Sequence, residues 1–304
     1  MPRTARVKND AGIYHIMVRS ISDVPLFRDS ADKERYLELI KKYKQIFLFR
    51  VYAFCLMTTH AHIAIDCSGA DISKIMKSIN QCYSAYFNKK YNRHGHVFQD
   101  RFKSKLIENE DYMMKLSVYI HNNPRDIVKY RKCVEKYKYS SLGIYLDIFQ
   151  DRYGILDPDY VLTHFSESVD NARISYLEFI NRTLEGSNKI DVEFKEEGSQ
   201  CRNERRILIR ALQPESIMDF IGKYTNECFN IHVKYSHRNA HFKSLCIIVM
   251  RSLCNLRLKE ICHIIGNITV SAVSRLYERG YILITQDLRY KNLLMDTIKQ
   301  FAAA

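Results

Sequence analysis

The segment TTHAHIAID (58–66) carries two histidines one residue apart, His60 and His62. In an extended chain, residues i and i+2 share a face. Both imidazoles then project together, while Ala61, Ile63 and Ile65 face an opposite, apolar side. Two imidazoles on a rigid strand can hold a divalent metal. They can also be polar residues on the wet face of a half-buried sheet. A metal needs at least one more ligand, and catalysis needs a reacting group beside it. SVYIHNNPR (117–125) offers both: Tyr119 and Asn123 stand four apart, one above the other on a helical face. The phenol can serve as a nucleophile and the Asn123 carbonyl oxygen as a ligand for a hard cation. Tyr119 also lies in the stripe Tyr112, Leu116, Ile120, and the chain has 21 tyrosines, so spacing alone leaves a packing role open.

Such side chains need elements to hold them, and the N-terminal half reads as a regular order. GIYHIMVRS (12–20) has the pattern of a strand, and SADKERYLELIKKYKQ (30–45) that of an amphipathic helix with Tyr36, Leu37, Ile40 and Tyr43 on one face. IFLFRVYAFCLM (46–57) and HAHIAID (60–66) read as the next two strands. DISKIMKSINQCYSAYFNKKY (71–91) is a helix with Asp71 as its N-cap. RFKSKLIE (101–108) returns to strand, and EDYMMKLSVYIHNN (110–123) is a helix that stops before Pro124. The order βαββαβ followed by α predicts an α+β fold with a ferredoxin-like antiparallel sheet and helices packed on one side. Residues 1–145 form this domain, 146–200 a helical connector and linker, and 201–304 an all-α domain. In that last domain LRLKEICHIIGNITVSAVSRLYERG (256–280) shows two short helical patterns around Gly266–Asn267. Leu258, Ile261 and Ile265 turn inward from the first, and Val270, Val273, Leu276 and Tyr277 from the second. This is the pattern of a helix-turn-helix with Ser271, Ser274 and Arg275 facing outward.

A formal net charge of +13 points to a polyanionic partner, for which nucleic acid is the commonest choice. The run YFNKKYNRHGHVFQDRFKSK (86–105) sets Lys89, Lys90, Arg93, Arg101, Lys103 and Lys105 against the single Asp100. Tyr86, Phe87, Tyr91, Phe98 and Phe102 are interleaved, a combination suited to single-stranded DNA or hairpin ends, although part of it, Tyr86 and Phe87 above all, also fits a core. A second basic run, RDIVKYRKCVEKYK (125–138), could hold a hairpin stem by its phosphates. His94-Gly95-His96 repeats the spacing of two histidines but sits in a glycine loop with no helical tyrosine to pair with it. Nine cysteines without a CxxC pair, no apolar signal segment and no membrane-length apolar run predict a cytoplasmic protein that does not enter membranes. No GxxxxGK[ST] phosphate loop occurs.

YHIMVRS, FCLMTTHAHIAI, GHVFQDRFKS and YIHNNP, in this order, resemble the single-tyrosine HUH transposases of the IS200-like kind, and among them the REP-associated tyrosine transposases. HUH denotes two histidines around a hydrophobic residue, here His60-Ala61-His62. The resemblance spans roughly residues 8–145 and implies that Tyr119 is the nucleophile and that His60, His62 and Asn123 hold Mg²⁺ or Mn²⁺. It implies cleavage and rejoining of single-stranded or hairpin DNA of an insertion element or palindromic repeat through a 5′-phosphotyrosine. The sequence departs from the family where Thr58-Thr59 replaces Pro-Asn, Phe98-Gln99-Asp100-Arg101 replaces WQGR, and Tyr139-Ser140-Ser141 replaces WSS. The first affects the turn into the HUH strand, and Asp100 affects local DNA contacts. The C-terminal region, with FKSLCIIVMRSLC ahead of its two helical patterns, resembles the DNA-binding domain of the bacterial replication initiators. Two other readings share these motifs: a protein that binds hairpin DNA without cutting it, and a replication-initiator nickase. Exchange of the tyrosine helix between two subunits would satisfy the same motifs, which makes a homodimer an expectation.

Overall fold

Alternation in IYHIMVR and HAHIAID, and the β-branched and aromatic run RVYAFCL, produce the strands that the computed structural model contains. It describes residues 9, 11–21, 24–107, 109–185, 210, 212–226, 231–232 and 237–302. Strands β1 (Ile13–Arg19), β2 (Arg50–Leu56), β3 (His60–Asp66) and β4 (Lys103–Leu106) form one sheet in the order β2-β3-β1-β4. Every neighbouring pair is antiparallel. Helices α1 (Ser30–Phe47), α2 (Ile72–Lys90) and α3 (Glu110–Asn122) alternate with the strands. The element order is the one expected.

The boundaries shift where local packing outweighs strand propensity. Ile46 and Phe47 were expected to open a strand; they instead finish α1, three and four residues after buried Tyr43, and are themselves fully buried. The helix ends where Leu48 takes φ 53°, and β2 starts only at Arg50. Asp71 caps α2 by accepting from the Ser73 amide at 2.7 Å. Helices α1 and α2 meet through Tyr36 and Tyr83, whose ring centroids lie 5.2 Å apart.

The described chain divides into two compact units, Met1–Gln45 with Phe49–Arg206, and Ile46–Leu48 with Ile207–Ala304. Residues 146–185, expected as part of a connector, are built into the first unit with α4 (Leu142–Tyr145), α5 (Asp159–Leu162) and α6 (Val169–Glu185). Tyr160 stacks on Tyr52 with centroids 4.4 Å apart. The polar stretch 185–200 lies, from Gly186 onward, outside the described residues.

A buried polar chain ties α6 to α3. The Ser117 hydroxyl donates to the Met114 carbonyl at 2.7 Å, so its oxygen accepts the Tyr176 hydroxyl proton at 2.9 Å. Tyr176 has then used its only proton, and His121 Nδ1–H must donate to it across 2.6 Å. His121 Nε2 accepts in turn from Ser141 Oγ at 2.7 Å, and the Phe54 amide donates to that oxygen at 2.9 Å. Burial keeps this imidazole neutral, its pKa brought down to about 3.

The second unit is helical in its described part: α7 (Pro214–Thr225), α8 (His237–Leu253), α9 (Leu258–Ile265), α10 (Val270–Gln286) and α11 (Leu293–Ala302). Helix α8 packs against α7, α9 and α10. A β-carbon on Gly280 of α10 would stand 2.4 Å from the Ser244 carbonyl oxygen, so glycine permits the close crossing with α8. Gly266 at φ 66° and Asn267 at φ 47° make the turn between α9 and α10, and Thr269 caps α10. Ile261, Ile265, Val273 and Tyr277 point inward as expected, whereas Val270, at the first position of α10, is exposed. Among the described residues no helix is long and apolar enough to cross a membrane.

Tyr176→Phe should cost about 1–3 kcal/mol, because it strands the His121 Nδ1–H in the core. Urea unfolding of the variant tests this; an unchanged midpoint would remove the chain's structural importance.

Candidate active site

Two elements create the site: the sheet face bearing His60 and His62, and the α3 face bearing Tyr119 and Asn123. The strand is entered through a two-residue turn at Thr58-Thr59, closed by the Met57 amide donating to the His60 carbonyl at 2.8 Å. The Thr58 carbonyl accepts from the Phe27 amide at 3.0 Å and the Thr59 carbonyl from the Ser20 amide at 2.9 Å. These threonines therefore form a pinned entry to the strand without proline. Helix α3 is capped by Asn109, which accepts from the Tyr112 amide, and gives way at Asn123 to a 3-10 turn opened by buried Pro124. Helix α3 is in contact with strands β2 and β3, which brings Tyr119 and Asn123 over the histidine face.

The four residues converge. His60 Nε2 and Asn123 Oδ1 are 3.3 Å apart, and the Asn123 amide nitrogen donates to the Tyr119 carbonyl at 2.8 Å. The Tyr119 ring meets His62 edge to face with centroids 5.2 Å apart, and His60 meets His62 at 5.1 Å. His62 is 2% exposed, while His60, Tyr119 and Asn123 are half-buried. Since an amide oxygen only accepts, His60 Nε2–H donates to Asn123, and its Nδ1 faces the Thr59 hydroxyl at 3.1 Å. That hydroxyl can also accept, so the proton can move to Nδ1 and leave the Nε2 lone pair for a metal.

The donor set fits a small hard cation. Adjacent ligands about 2.1 Å from an octahedral ion lie about 3 Å apart, close to the His60–Asn123 separation. Among the described residues no three His, Cys, Asp or Glu side chains form a metal-holding group, so the third protein ligand would be the Asn123 amide oxygen. Burial lowers the pKa of His60, opposed by its Asn123 contact and reinforced by the Arg19 charge. For His62, burial lowers it well below 6.5, aided by His15 and His60. Burial raises the Tyr119 phenol, and the Asp126 carboxylate adds to the rise.

His15 is the residue that the sequence reading missed. It lies in β1, its Nε2 is 2.9 Å from His62 Nδ1, and the two rings stack with centroids 5.1 Å apart. Only the register of β1 on β3 brings them together. Arg19, directly opposite His60 and exposed, was missed for the same reason.

The predicted DNA-contacting residues divide. Lys105 lies opposite His15 and Lys103 opposite Met17, which puts both on the histidine face of the sheet. Lys89 and Arg101 are exposed, and Arg93 is half-buried with its guanidinium 5.8 Å from the Phe87 ring. Lys90 is exposed as well, but its ammonium is engaged: it bonds Asp29 at 2.7 Å and Asp32 at 2.8 Å. The Asp32 side chain is fully buried and also accepts from Tyr91, Tyr86 and the Arg28 amide. Phe87 is fully buried, whereas Tyr86 is half-buried. His94 and His96 are exposed, on a loop where Gly95 takes φ 92°. In the second unit Ser271 and Arg275 are exposed and Ser274 is half-buried.

Lys90→Ala should therefore cost about 1–3 kcal/mol of stability, because it leaves the buried Asp32 carboxylate without its cation. Lys89→Ala and Arg101→Ala should leave stability unchanged and each flatten the salt dependence of single-strand binding by about 0.7 per lost phosphate contact. Unfolding curves and salt titrations measure the two effects; a stable Lys90→Ala protein with weakened DNA binding would reverse the assignment.

Residues 9–123 match the family model described as Transposase IS200 like. No curated protein matches the chain. A solved structure of a REP-associated tyrosine transposase bound to a REP hairpin is 19% identical, covering 56% of this chain and 93% of that one with a TM-score of 0.42.

Proposed function

From an N-terminal segment of IS200-like transposase character, we propose a single-tyrosine DNA transposase or endonuclease that cleaves and rejoins single-stranded or hairpin DNA. The observation that carries this reading is the convergence of His60 Nε2 and Asn123 Oδ1 at 3.3 Å beside a tyrosine ring 5.2 Å from His62. On this reading the sheet order is a ferredoxin-like split βαβ, used to aim two imidazoles at one helix.

The Tyr119 oxygen attacks the scissile phosphorus as the bond to the 3′ oxygen breaks, leaving a 5′-phosphotyrosine and a free 3′-OH. Rejoining reverses this with a different 3′-OH, so the phosphodiester energy is kept in the covalent link and no nucleotide is consumed. Burial and Asp126 make the phenol a weak nucleophile by themselves. Mg²⁺ or Mn²⁺ on His60, His62 and Asn123 would supply the positive charge that polarises the phosphate and offsets charge developing in the transition state. Asn123 also ties its own amide nitrogen to the Tyr119 carbonyl, which fixes the tyrosine relative to the donor atoms. Lys103 and Lys105 extend the same sheet face with positive charge suited to the DNA backbone. A homodimer that exchanges α3 between subunits would present the same four residues at each site. A DNA substrate of this kind is consistent with action in the cytoplasm.

In the second unit we read α9 and α10 as a helix-turn-helix, with Ser271, Ser274 and Arg275 directed to a duplex portion of the substrate.

Tyr119→Phe should abolish the covalent protein–DNA adduct while DNA affinity stays within about twofold, since only one oxygen is lost. Denaturing gels with labelled DNA and Mg²⁺ read the adduct directly; its persistence in the variant would mean another nucleophile. EDTA or His60→Ala should lower cleavage by at least about a hundredfold. Undiminished cleavage in EDTA would exclude the metal role. Ser271→Ala with Arg275→Ala should weaken binding to hairpin-plus-duplex DNA and leave single-strand binding unaltered. Equal affinities before and after would make the second unit a structural or protein-interaction module.

A further inference from the structure

Alternation along IYHIMVR puts His15, Met17 and Arg19 on one face of β1. The register pairs His15 with Ala64, Met17 with His62 and Arg19 with His60. Directly opposed residues of an antiparallel pair share a face, so His15 stands diagonal to His62, within reach of a long side chain. The structure shows that reach used: His15 Nε2 lies 2.9 Å from His62 Nδ1, with the rings stacked at 28°. His15 is 0% exposed and His62 2%.

We propose that His15 is a positioning residue of the metal centre, accepting the His62 Nδ1–H so that His62 presents its Nε2 lone pair to a divalent cation. The inference rests on the metal reading given above, and it follows from counting protons. One hydrogen bond between two ring nitrogens contains one proton. If His15 donated it, His62 Nδ1 would be the acceptor, the proton of neutral His62 would sit on Nε2, and no lone pair would remain for a metal. If His62 donates, Nε2 is bare and directed away from His15. A ligand histidine whose other nitrogen donates to a neighbour is fixed in tautomer and ring orientation, and loss of such a partner costs roughly 10–100-fold in metal affinity. His15 is not itself a further ligand, because the nitrogen it turns towards the site is occupied by His62. Burial of both rings also means that no water can readily take over the acceptor role.

The test uses the full chain and Mn²⁺, with free Mn²⁺ followed by electron paramagnetic resonance and folding by thermal melting. His15→Phe keeps a ring for stacking but removes the acceptor; His15→Gln restores an acceptor oxygen at similar reach. Mn²⁺ affinity should fall at least about tenfold in His15→Phe and recover to within about threefold of wild type in His15→Gln. If His15→Phe melts without a cooperative transition, His15→Asn, too short to reach His62, takes its place against His15→Gln. Equal Mn²⁺ affinity in wild type and in the acceptor-lacking variant overturns the role of His15 alone. A wild type that takes up no Mn²⁺, or one whose uptake survives His62→Ala, overturns the metal reading and the inference with it.

Discussion

Pairing Met17 with His62 and Arg19 with His60 fixes where two imidazoles point. Strand side chains alternate with a period of two, so a slip of one residue would send both histidines into the apolar face and bring Ala61 and Ile63 out. Burial opposes that slip. Ile16, Val18, Ile63 and Ile65 are each no more than 1% exposed, and each would exchange apolar neighbours for the face that carries His15, His60 and His62. The hydrophobic effect acting on one face of the sheet therefore specifies the chemistry on the other. The same register sets His15 behind His62 and Lys103 and Lys105 alongside.

Helix α3 has to meet that face at one rotation only. Tyr119 and Asn123 lie towards the histidines, while His121, two residues from each, points into the polar chain formed by Ser141 and Tyr176. Each group in that chain uses its proton in one direction, and rotation of the helix would leave several buried polar atoms unpaired at once. Helix α6, which supplies Tyr176, is thus part of the scaffold that aims the proposed nucleophile.

The parts of the site legible in the sequence are those with local geometry. His60 and His62 share a face because strands have a period of two, and Tyr119 and Asn123 because a helical turn brings i and i+4 together. His15 could not be found that way. Its partner is 47 residues away, and only the pairing register makes them neighbours. The basic run shows the same limit: Lys89 and Lys90 are adjacent and both exposed, yet Lys90 meets Asp29 and Asp32 from about 60 residues earlier. Ile46 and Phe47 are good strand residues, yet they continue the helical apolar stripe of α1, so β2 begins only at Arg50. The built-in position of α6 was hidden because an amphipathic helix does not declare which surface it covers.

The proposed chemistry depends on the β3 histidines and the α3 asparagine forming a single cation site beside Tyr119. Crystals of the full chain grown with Mn²⁺, measured at the manganese edge, test it most directly. The expected result is an anomalous peak within bonding distance of His60 Nε2, His62 Nε2 and Asn123 Oδ1. A peak at the His94–His96 loop instead, or none at these three atoms in a Mn²⁺-saturated crystal, would contradict it.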